Sequence, residues 1–324
     1  MKAITLTQLH YAIEVAKVGH FGKAAKNCFV TQPTLSMQIQ KLEKELGVIL
    51  FHRSKKYVET TPIGHKVIAI ANSILHGLDK LDEVIHGERD EIKGDFRLGL
   101  IPTLTPYLLP RFLESFLKKY PLLQLSIDEL QTEEIIKRIR QNQIDAGLLA
   151  LPLNAKGILE QSLFKEPFVC YLSKDHPLQK YQRLSEKQLV DKDLWLLSEG
   201  HCFREQVIDL CKNRKQKATS QHVSFESGNL ETLIHLVDQN FGYTLLPYLA
   251  VLDVPYKQRE KSLKFFTAPV PSREIGLIYS ESFVKFRTLE ALKKEIERSL
   301  PIQLKKLQQK QKTRTVPLPE GVFN

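Results

Sequence analysis

The chain has 324 residues, of which 42% are hydrophobic and 26% are charged, and its formal net charge is +10. This length is enough for two or three domains, and the composition is typical of an ordinary globular protein. The sequence contains no run of eighteen apolar residues and begins without an apolar signal region, so it predicts neither a membrane span nor secretion. Four scattered cysteines without a framework spacing favour a cytoplasmic protein.

The positive charge is concentrated at the two ends of the chain. Residues 1–60 carry nine Lys or Arg against four Asp or Glu, and residues 301–324 carry five against one. Basic ends around a near-neutral body indicate a module that binds a polyanion. The charge alone is weak evidence, because a basic tail often only helps to keep a protein in solution.

The amino-terminal region predicts three short helices. Apolar residues recur at helical spacing over residues 6–16, and Gly19 is placed to end that helix. A second helix is predicted over residues 21–28, and a third from Thr31 to Gly47, with proline in its first turn. A tight turn between the second and third helices is typical of a helix-turn-helix.

The third predicted helix begins with neutral hydrogen-bond donors and acceptors, which suit contacts with base edges. Two short strands are predicted after it, around a basic turn at residues 54–56. Such a wing would place cations against phosphate groups. The alternative is a generic three-helix bundle with polar solvent faces. The candidate DNA-binding residues are Thr31, Gln32, Pro33, Thr34, Ser36, Gln40, Arg53 and Lys55.

A long amphipathic helix is predicted next, from Pro62 to about His86. We assign residues 1–60 to the DNA-binding module and residues 61–90 to this linker. A long apolar stripe without a local core predicts a contact between subunits. The stripe consists of Val67, Ile70, Ile74, Leu78, Leu81 and Ile85.

Strands and helices alternate through the rest of the chain, residues 91–302, which predicts a parallel sheet with helices on both faces. The tail, residues 303–324, is rich in Lys and Gln and is then interrupted by prolines. This composition predicts a disordered basic tail.

Several short motifs occur in order over about sixty residues: Ala24-Ala25, Thr31-Gln32-Pro33-Thr34-Leu35-Ser36, Leu42-Glu43, Leu46-Gly47, Leu50-Phe51-His52-Arg53 and Thr60-Thr61-Pro62-Ile63-Gly64. In this order they resemble the LysR-type transcriptional regulators. The resemblance implies an all-α winged helix-turn-helix, a linker helix that pairs two subunits, and an α/β effector domain of two doubly wound lobes. Lobe I would take residues 91–168 and 270–300, and lobe II would take residues 169–269.

Two of the four cysteines, Cys202 and Cys211, lie nine positions apart. On one straight helix they would be separated by more than two turns, whereas a disulfide needs Cα atoms within about 7 Å. Joining them would require the segment to change conformation, which suits a redox switch. His201 and Arg204 offer positive charge that would stabilise a thiolate. The alternative reading, two buried cysteines acting as small hydrophobic residues, stays open at this point.

The motifs at residues 101–110, 193–204, 230–233 and 273–277 are similar to those of peroxide-sensing LysR-type regulators. The resemblance implies that peroxide oxidises Cys202 and that Cys211 resolves the product. It implies a peroxide pocket formed by Thr103, Thr132, His201, Arg204 and Arg273.

The same resemblance implies the partners of the chain. They are hydrogen peroxide, double-stranded promoter DNA, RNA polymerase and further copies of the chain, in a homodimer or homotetramer that activates antioxidant genes. We expect no enzyme turnover, no cofactor and no metal.

Three other functions are weighed against this one. The first is a LysR-type regulator that binds a small organic anion through Thr103, Thr105 and Thr132, with structural cysteines. The second is a thiol peroxidase, against which the winged module and the linker helix argue. The third is a zinc site with the ligands His201, Cys202, Cys211 and His222. The spacing of its two cysteines is not that of common zinc motifs.

Overall fold

A computed structural model describes residues 4–53, 58–86, 91–189, 193–211, 227–252, 262–310 and 312–318. The chain divides into two compact units, of which the first comprises Met1–Glu91 with Gln141–Gln143 and the second comprises Ile92–Arg140 with Ile144–Asn324. Across the described ranges, no helix has both the length and the apolar character needed to cross a bilayer.

The first unit contains helices α1 (Leu6–Val18), α2 (Phe21–Asn27), α3 (Gln32–Leu46) and α4 (Pro62–His86), and strands β1 (Phe51–Arg53) and β2 (Val58–Thr60). The side-chain oxygens of Thr5 and Thr31 accept backbone hydrogen bonds at the starts of α1 and α3. Gly19 and Gly47 end these helices with φ values of 65° and 73°, where glycine is favoured. Strands β1 and β2 pair antiparallel. The predicted winged helix-turn-helix is confirmed, and the turn of the wing lies outside the described residues.

Helix α4 has a buried face and an exposed apolar face. Ile68 and Ala71 are buried in the core of the first unit, and Val67 packs against that core. Three members of the predicted apolar stripe are exposed, by 61%, 44% and 38% respectively: Ile70, Ile74 and Leu78. The side chains of Leu81 and Ile85 lie outside the described part of the helix. An exposed row of large apolar side chains is the surface that a subunit contact would cover.

The second unit alternates strands and helices, as predicted. Its first half contains β3 (Gly94–Leu100), α5 (Thr105–Lys119), β4 (Leu123–Glu129), α6 (Thr132–Arg140), β5 (Ala146–Leu151), β6 (Ile158–Leu172) and β7 (Arg183–Leu184). Its second half contains α7 (Cys202–Cys211), α8 (Leu230–Asp238), β8 (Tyr243–Pro247), α9 (Tyr248–Val251), β9 (Leu263–Phe266), β10 (Val270–Ser280), α10 (Phe286–Ser299), α11 (Ile302–Lys310) and β11 (Thr313–Thr315). Residues 193–198, between β7 and α7, form two isolated bridges, Leu194 with Tyr243 and Leu197 with Ser227.

Strand β6 belongs to both lobes. Lobe I has the strand order β4-β3-β5-β10-β6, in which β3 runs parallel to both neighbours. Residues 158–167 of β6 pair with β10, whereas residues from Phe168 onward pair with β8 and β9. The predicted two-lobed α/β domain is confirmed. Its sheets are mixed rather than parallel throughout, because β10 runs antiparallel to β5 and β6.

The tail differs from its prediction as far as residue 318. Residues 302–310 are helical, and β11 pairs in parallel with the first residues of β10. Leu304 and Val316 are fully buried, and Leu318 is almost so. The tail is polar on average, but these widely spaced apolar side chains reach the core, which an average over composition conceals. Residues 319–324 lie outside the described part of the chain.

Candidate functional site

The site forms where two helices begin. Cys202 is the first residue of α7, and Thr132 is the first residue of α6. Gly200 has a φ of 87° at the turn that leads into α7, and a Cβ there would lie 2.6 Å from Oε1 of Gln131. Glycine is favoured at this turn because a side chain would be strained at this φ and would require the end of the Gln131 side chain to move. The turn thus brings the first residue of α7 against α6.

The Cys202 thiol is buried beside a hydroxyl. Its Sγ lies 2.8 Å from Oγ1 of Thr132. Burial raises the pKa of the Cys202 thiol to about 11, although the Thr132 hydrogen bond and the charge of Arg273 act in the opposite direction. The thiol is therefore protonated at neutral pH. A threonine hydroxyl can accept a hydrogen bond from the thiol and can donate one to the thiolate. The contact is therefore possible in both protonation states of Cys202.

Arg273 is a buried cation within a closed network. It lies on β10 directly opposite Glu166 of β6. Its Nη2 lies 2.7 Å from Oε2 of Glu166, and its Nη1 donates to Oγ1 of Thr103 at 2.8 Å. Cζ of the guanidinium lies 5.2 Å from the ring centre of Phe203, the residue after Cys202. Because the carboxylate compensates the guanidinium, the charge can remain in the interior.

The contacts shown for His201 and Arg204, the two cations predicted from the neighbouring sequence, do not include the Cys202 thiol. Burial lowers the pKa of His201, so its imidazole is neutral at neutral pH. Arg204 donates from Nη1 to the backbone carbonyl of Leu197 at 2.7 Å and lies 3.9 Å from a carboxylate oxygen of Glu205. Neither residue is among the groups that influence the pKa of Cys202, so the role predicted for them in the pocket stays a prediction. A residue two positions along a helix points to another side, and the cation comes from β10 instead.

The hydroxyls predicted for an organic anion already have protein partners. Thr103 and Thr132 make the contacts described above, and Thr105 donates to the backbone carbonyl of Ile101 at 3.2 Å. The buried cation beside them is paired with a carboxylate. This arrangement disfavours a binding site for a small organic anion, which would need an uncompensated charge.

Cys211 lies at the other end of α7. A helical rise of 1.5 Å per residue places the two cysteine Cα atoms about 13.5 Å apart along the helix axis. A disulfide requires about 7 Å or less, so α7 must unwind before the sulfurs can bond. Burial, with a contribution from Cys211, raises the pKa of Cys170 on β6 well above its usual range. Cys170 therefore lies close enough to Cys211 for the two thiols to interact electrostatically.

The start of α3 presents a polar surface to solvent. Leu35 and Ile39 are fully buried on the opposite face, and Ser36 is half-buried. The exposed predicted DNA-binding residues are Thr31, Gln32, Pro33, Thr34 and Gln40. Arg53 ends β1, but its side chain and the whole of Lys55 lie outside the described residues.

Sequence reasoning missed Glu166. The signal that could have found it is an acidic residue directly before an apolar run that is expected to be buried, Pro167-Phe168-Val169-Cys170-Tyr171-Leu172. A carboxylate buried with that run needs a charged or hydrogen-bonding partner. The described residues contain no cluster of three His, Cys, Asp or Glu able to hold a metal. His222, named in the zinc alternative, is outside them.

Two family models match this chain. The model for the bacterial regulatory helix-turn-helix protein, lysR family, matches residues 6–65. The model for the LysR substrate binding domain matches residues 89–300. The matches correspond to the DNA-binding and two-lobed regions described above.

Among curated proteins, the chain is 36% identical to a probable hydrogen peroxide-inducible genes activator of Mycobacterium leprae, over 85% of this chain and 88% of that protein. It is 33% identical to the DNA-binding transcriptional dual regulator OxyR of Escherichia coli K12, over 85% and 89%. Among solved structures, it is similar to a full-length OxyR variant from Pseudomonas aeruginosa, with a TM-score of 0.77, 35% identity and coverage of 91% and 95%. An OxyR mutant from Corynebacterium glutamicum with hydrogen peroxide bound gives a TM-score of 0.60, 32% identity and coverage of 92% and 94%. The chain therefore belongs to the LysR family of bacterial transcriptional regulators.

Proposed function

We propose that this chain is a DNA-binding transcription regulator that senses hydrogen peroxide through a thiol–disulfide switch between Cys202 and Cys211. The observation that carries the proposal is the burial of both thiols at opposite ends of α7, with Cys202 beside the Thr132 hydroxyl and under the influence of Arg273. The Mycobacterium leprae relative, which is named a probable hydrogen peroxide-inducible genes activator, supports it.

The chemistry needs two steps. The Cys202 thiolate attacks one peroxide oxygen, the O–O bond breaks, and the second oxygen leaves as water after taking up a proton, which gives a sulfenic acid. The Cys211 thiolate then attacks that sulfur, and the disulfide forms as a second water is released. Thr132 and Arg273 stabilise the first thiolate, and Thr103 holds the arginine in place. We place His201 at the wall of the same pocket.

The disulfide alters DNA binding by changing how the subunits are packed. Unwinding of α7 alters the packing of the effector domains and hence the spacing of the DNA-binding heads. We assign the exposed stripe of α4 to a dimer contact within a homotetramer. The oxidised form activates antioxidant genes through RNA polymerase, and cytoplasmic thiol systems reduce it again. Each switching event consumes one peroxide, so turnover is not the purpose of the chemistry.

A peroxide titration with peptide mapping tests the redox proposal. We expect loss of two thiols and a disulfide between the peptides that contain Cys202 and Cys211. Cys28→Ser should behave as the wild type and serves as the control. Thiols that stay intact while peroxide leaves DNA binding unchanged would contradict the proposal.

Binding measurements test the DNA interface. Gln32→Ala and Ser36→Ala should each weaken specific binding by about 1–3 kcal/mol, since each removes a base contact. Arg53→Ala should weaken binding to every sequence and reduce its salt dependence. Lys44→Ala, at the far end of α3, is the control, because it also removes one positive charge. An unchanged salt slope in Arg53→Ala would exclude a phosphate contact there.

A further inference from the structure

The end of the chain extends the sheet beside the pocket arginine. We call residues 312–318 the C-terminal clamp. The backbone N–H of Val270 donates to the carbonyl of Lys312 at 2.9 Å, and the N–H of Val316 donates to the carbonyl of Ser272 at 2.8 Å. Ser272 immediately precedes Arg273 on β10, so the clamp is hydrogen-bonded to the strand that holds the buried cation.

The same clamp contacts the redox helix. Nε2 of Gln206 donates to the backbone carbonyl of Val316 at 2.9 Å, and both residues are fully buried. Oε1 of Gln206 has no hydrogen-bond partner among the described residues. The Val316 carbonyl is therefore the partner that the structure shows for this buried amide. Gln206 lies near the middle of α7, between Cys202 and Cys211.

An ion pair fastens the clamp from outside. Nη2 of Arg314 lies 2.7 Å from Oε2 of Glu186, and Nε of Arg314 donates to Oε1 at 3.2 Å. This two-bond geometry fixes the direction of the arginine as well as its position. The clamp is thus held by backbone pairing, by a buried valine and by a partly exposed ion pair.

Closing the disulfide conflicts with these contacts. The sulfurs can meet only if the residues between them leave the helix, and Gln206 is one of those residues. We propose that the C-terminal clamp is a latch that holds α7 in its reduced conformation and thereby sets the peroxide dose at which the switch closes. The proposal rests on the proposed Cys202–Cys211 switch. A buried amide that loses its partner is destabilised, so the clamp favours the dithiol over the disulfide.

The latch acts on one step only. Sulfenic acid forms at Cys202 while α7 is still intact, and the described clamp residues are not among the groups that influence that thiol. Formation of the disulfide requires α7 to open. Loosening the clamp should therefore speed disulfide closure and make the reduction potential more negative, while the first oxidation keeps its rate.

The test compares three variants of the full chain in single-turnover peroxide reactions and redox titrations. Arg314→Ala removes the outer ion pair and should shift the closure equilibrium about two- to fivefold. Val316→Pro removes the N–H that donates to Ser272 and should shift it about tenfold, which is about 30 mV more negative. Lys306→Ala, an exposed residue of α11, controls for loss of one positive charge.

Sulfenic acid formation should stay within about twofold of the wild-type rate in all three variants. Wild-type potentials and closure rates in both Arg314→Ala and Val316→Pro would overturn the latch. So would an equal change in the first oxidation and in closure, because that would indicate a general loss of structure.

Hydrogen exchange on the wild-type protein tests the latch without a substitution. The Val316 amide should be protected in the reduced protein and should lose protection once the disulfide has formed. Unchanged protection in protein whose disulfide is proven by peptide mapping would overturn the latch and leave the switch intact. Absence of that disulfide would instead overturn the proposed switch.

Discussion

The two ends of α7 place their cysteines in different surroundings. At the first end, Cys202 contacts the Thr132 hydroxyl and is influenced by Arg273. At the last end, Cys211 lies in the apolar core near a second buried thiol, Cys170. In the proposed switch, α7 thus sets the order of two reactions, because it holds one sulfur beside groups that favour its thiolate and keeps the other sulfur at a distance until the helix unwinds.

Replacing one cysteine at a time should change the peroxide response more than any other substitution. Cys202→Ser should abolish the peroxide response and leave the reduced fold and DNA binding intact, because the sulfur that peroxide attacks is gone. Cys211→Ser should still form sulfenic acid at Cys202 but should over-oxidise, since nothing resolves it. A sulfenic-acid reagent with peptide mapping measures both results. Labelling of Cys211 at the wild-type rate in Cys202→Ser would reverse the two roles.

Arg273→Ala should have the next largest effect. It leaves Glu166 buried without its counter-charge, which we expect to cost about 3–5 kcal/mol of unfolding free energy. It also removes a charge that lowers the pKa of Cys202, so oxidation should slow. Urea unfolding and stopped-flow oxidation measure the two effects separately.

A paired variant separates stability from activation. Arg273→Met with Glu166→Leu removes both charges and should recover most of the stability. The oxidation rate should stay low, because the cation is still missing. Recovery of the rate together with stability would show that Arg273 acts only through the fold.

Thr132→Val should slow the oxidation of Cys202 by a smaller factor than the cysteine and Arg273 substitutions. Because the Cys202 pKa is about 11, the thiolate fraction and the oxidation rate should rise about tenfold for each pH unit below it. Losing the Thr132 hydrogen bond should move this profile about one unit to higher pH, and so slow oxidation about tenfold at a given pH. Rate profiles from pH 6 to 9 measure the shift. Superimposable profiles would mean that the hydroxyl does not stabilise the thiolate.

Arg204→Ala should have the smallest effect. Arg204 holds the backbone carbonyl of Leu197 rather than acting on the thiol, so oxidation should remain within about twofold of the wild-type rate. Competition kinetics with peroxide at pH 7 measure this. A loss as large as that in Arg273→Ala would restore Arg204 to the role that the sequence suggested.

Local features of the fold were predictable from sequence. Thr31 and Gly47 mark the start and end of α3 because a cap and a left-handed glycine act within a few residues. Helix α7 was the case in which spacing alone predicted a mechanical conflict, since nine positions on a helix separate two sulfurs too far for a bond.

Contacts between distant residues were not predictable in the same way. Glu166 and Arg273 are 107 positions apart in the chain, and only the register of β6 against β10 makes them neighbours. Nearness in sequence pointed to Arg204, whereas the cation that influences the pKa of Cys202 in the structure is Arg273. The C-terminal clamp was missed because Val316 and Leu318 stand alone in a polar tail, and their burial depends on a sheet edge formed elsewhere.

The register of β6 against β10 also has a consequence for synthesis on the ribosome. Glu166 emerges 107 residues ahead of Arg273, a delay of about 5–20 s at the usual bacterial rate of translation. Cys202 is made within that interval, before its cation exists. The nascent chain therefore carries the Cys202 thiol before Arg273, the buried cation that influences its pKa, has been synthesised.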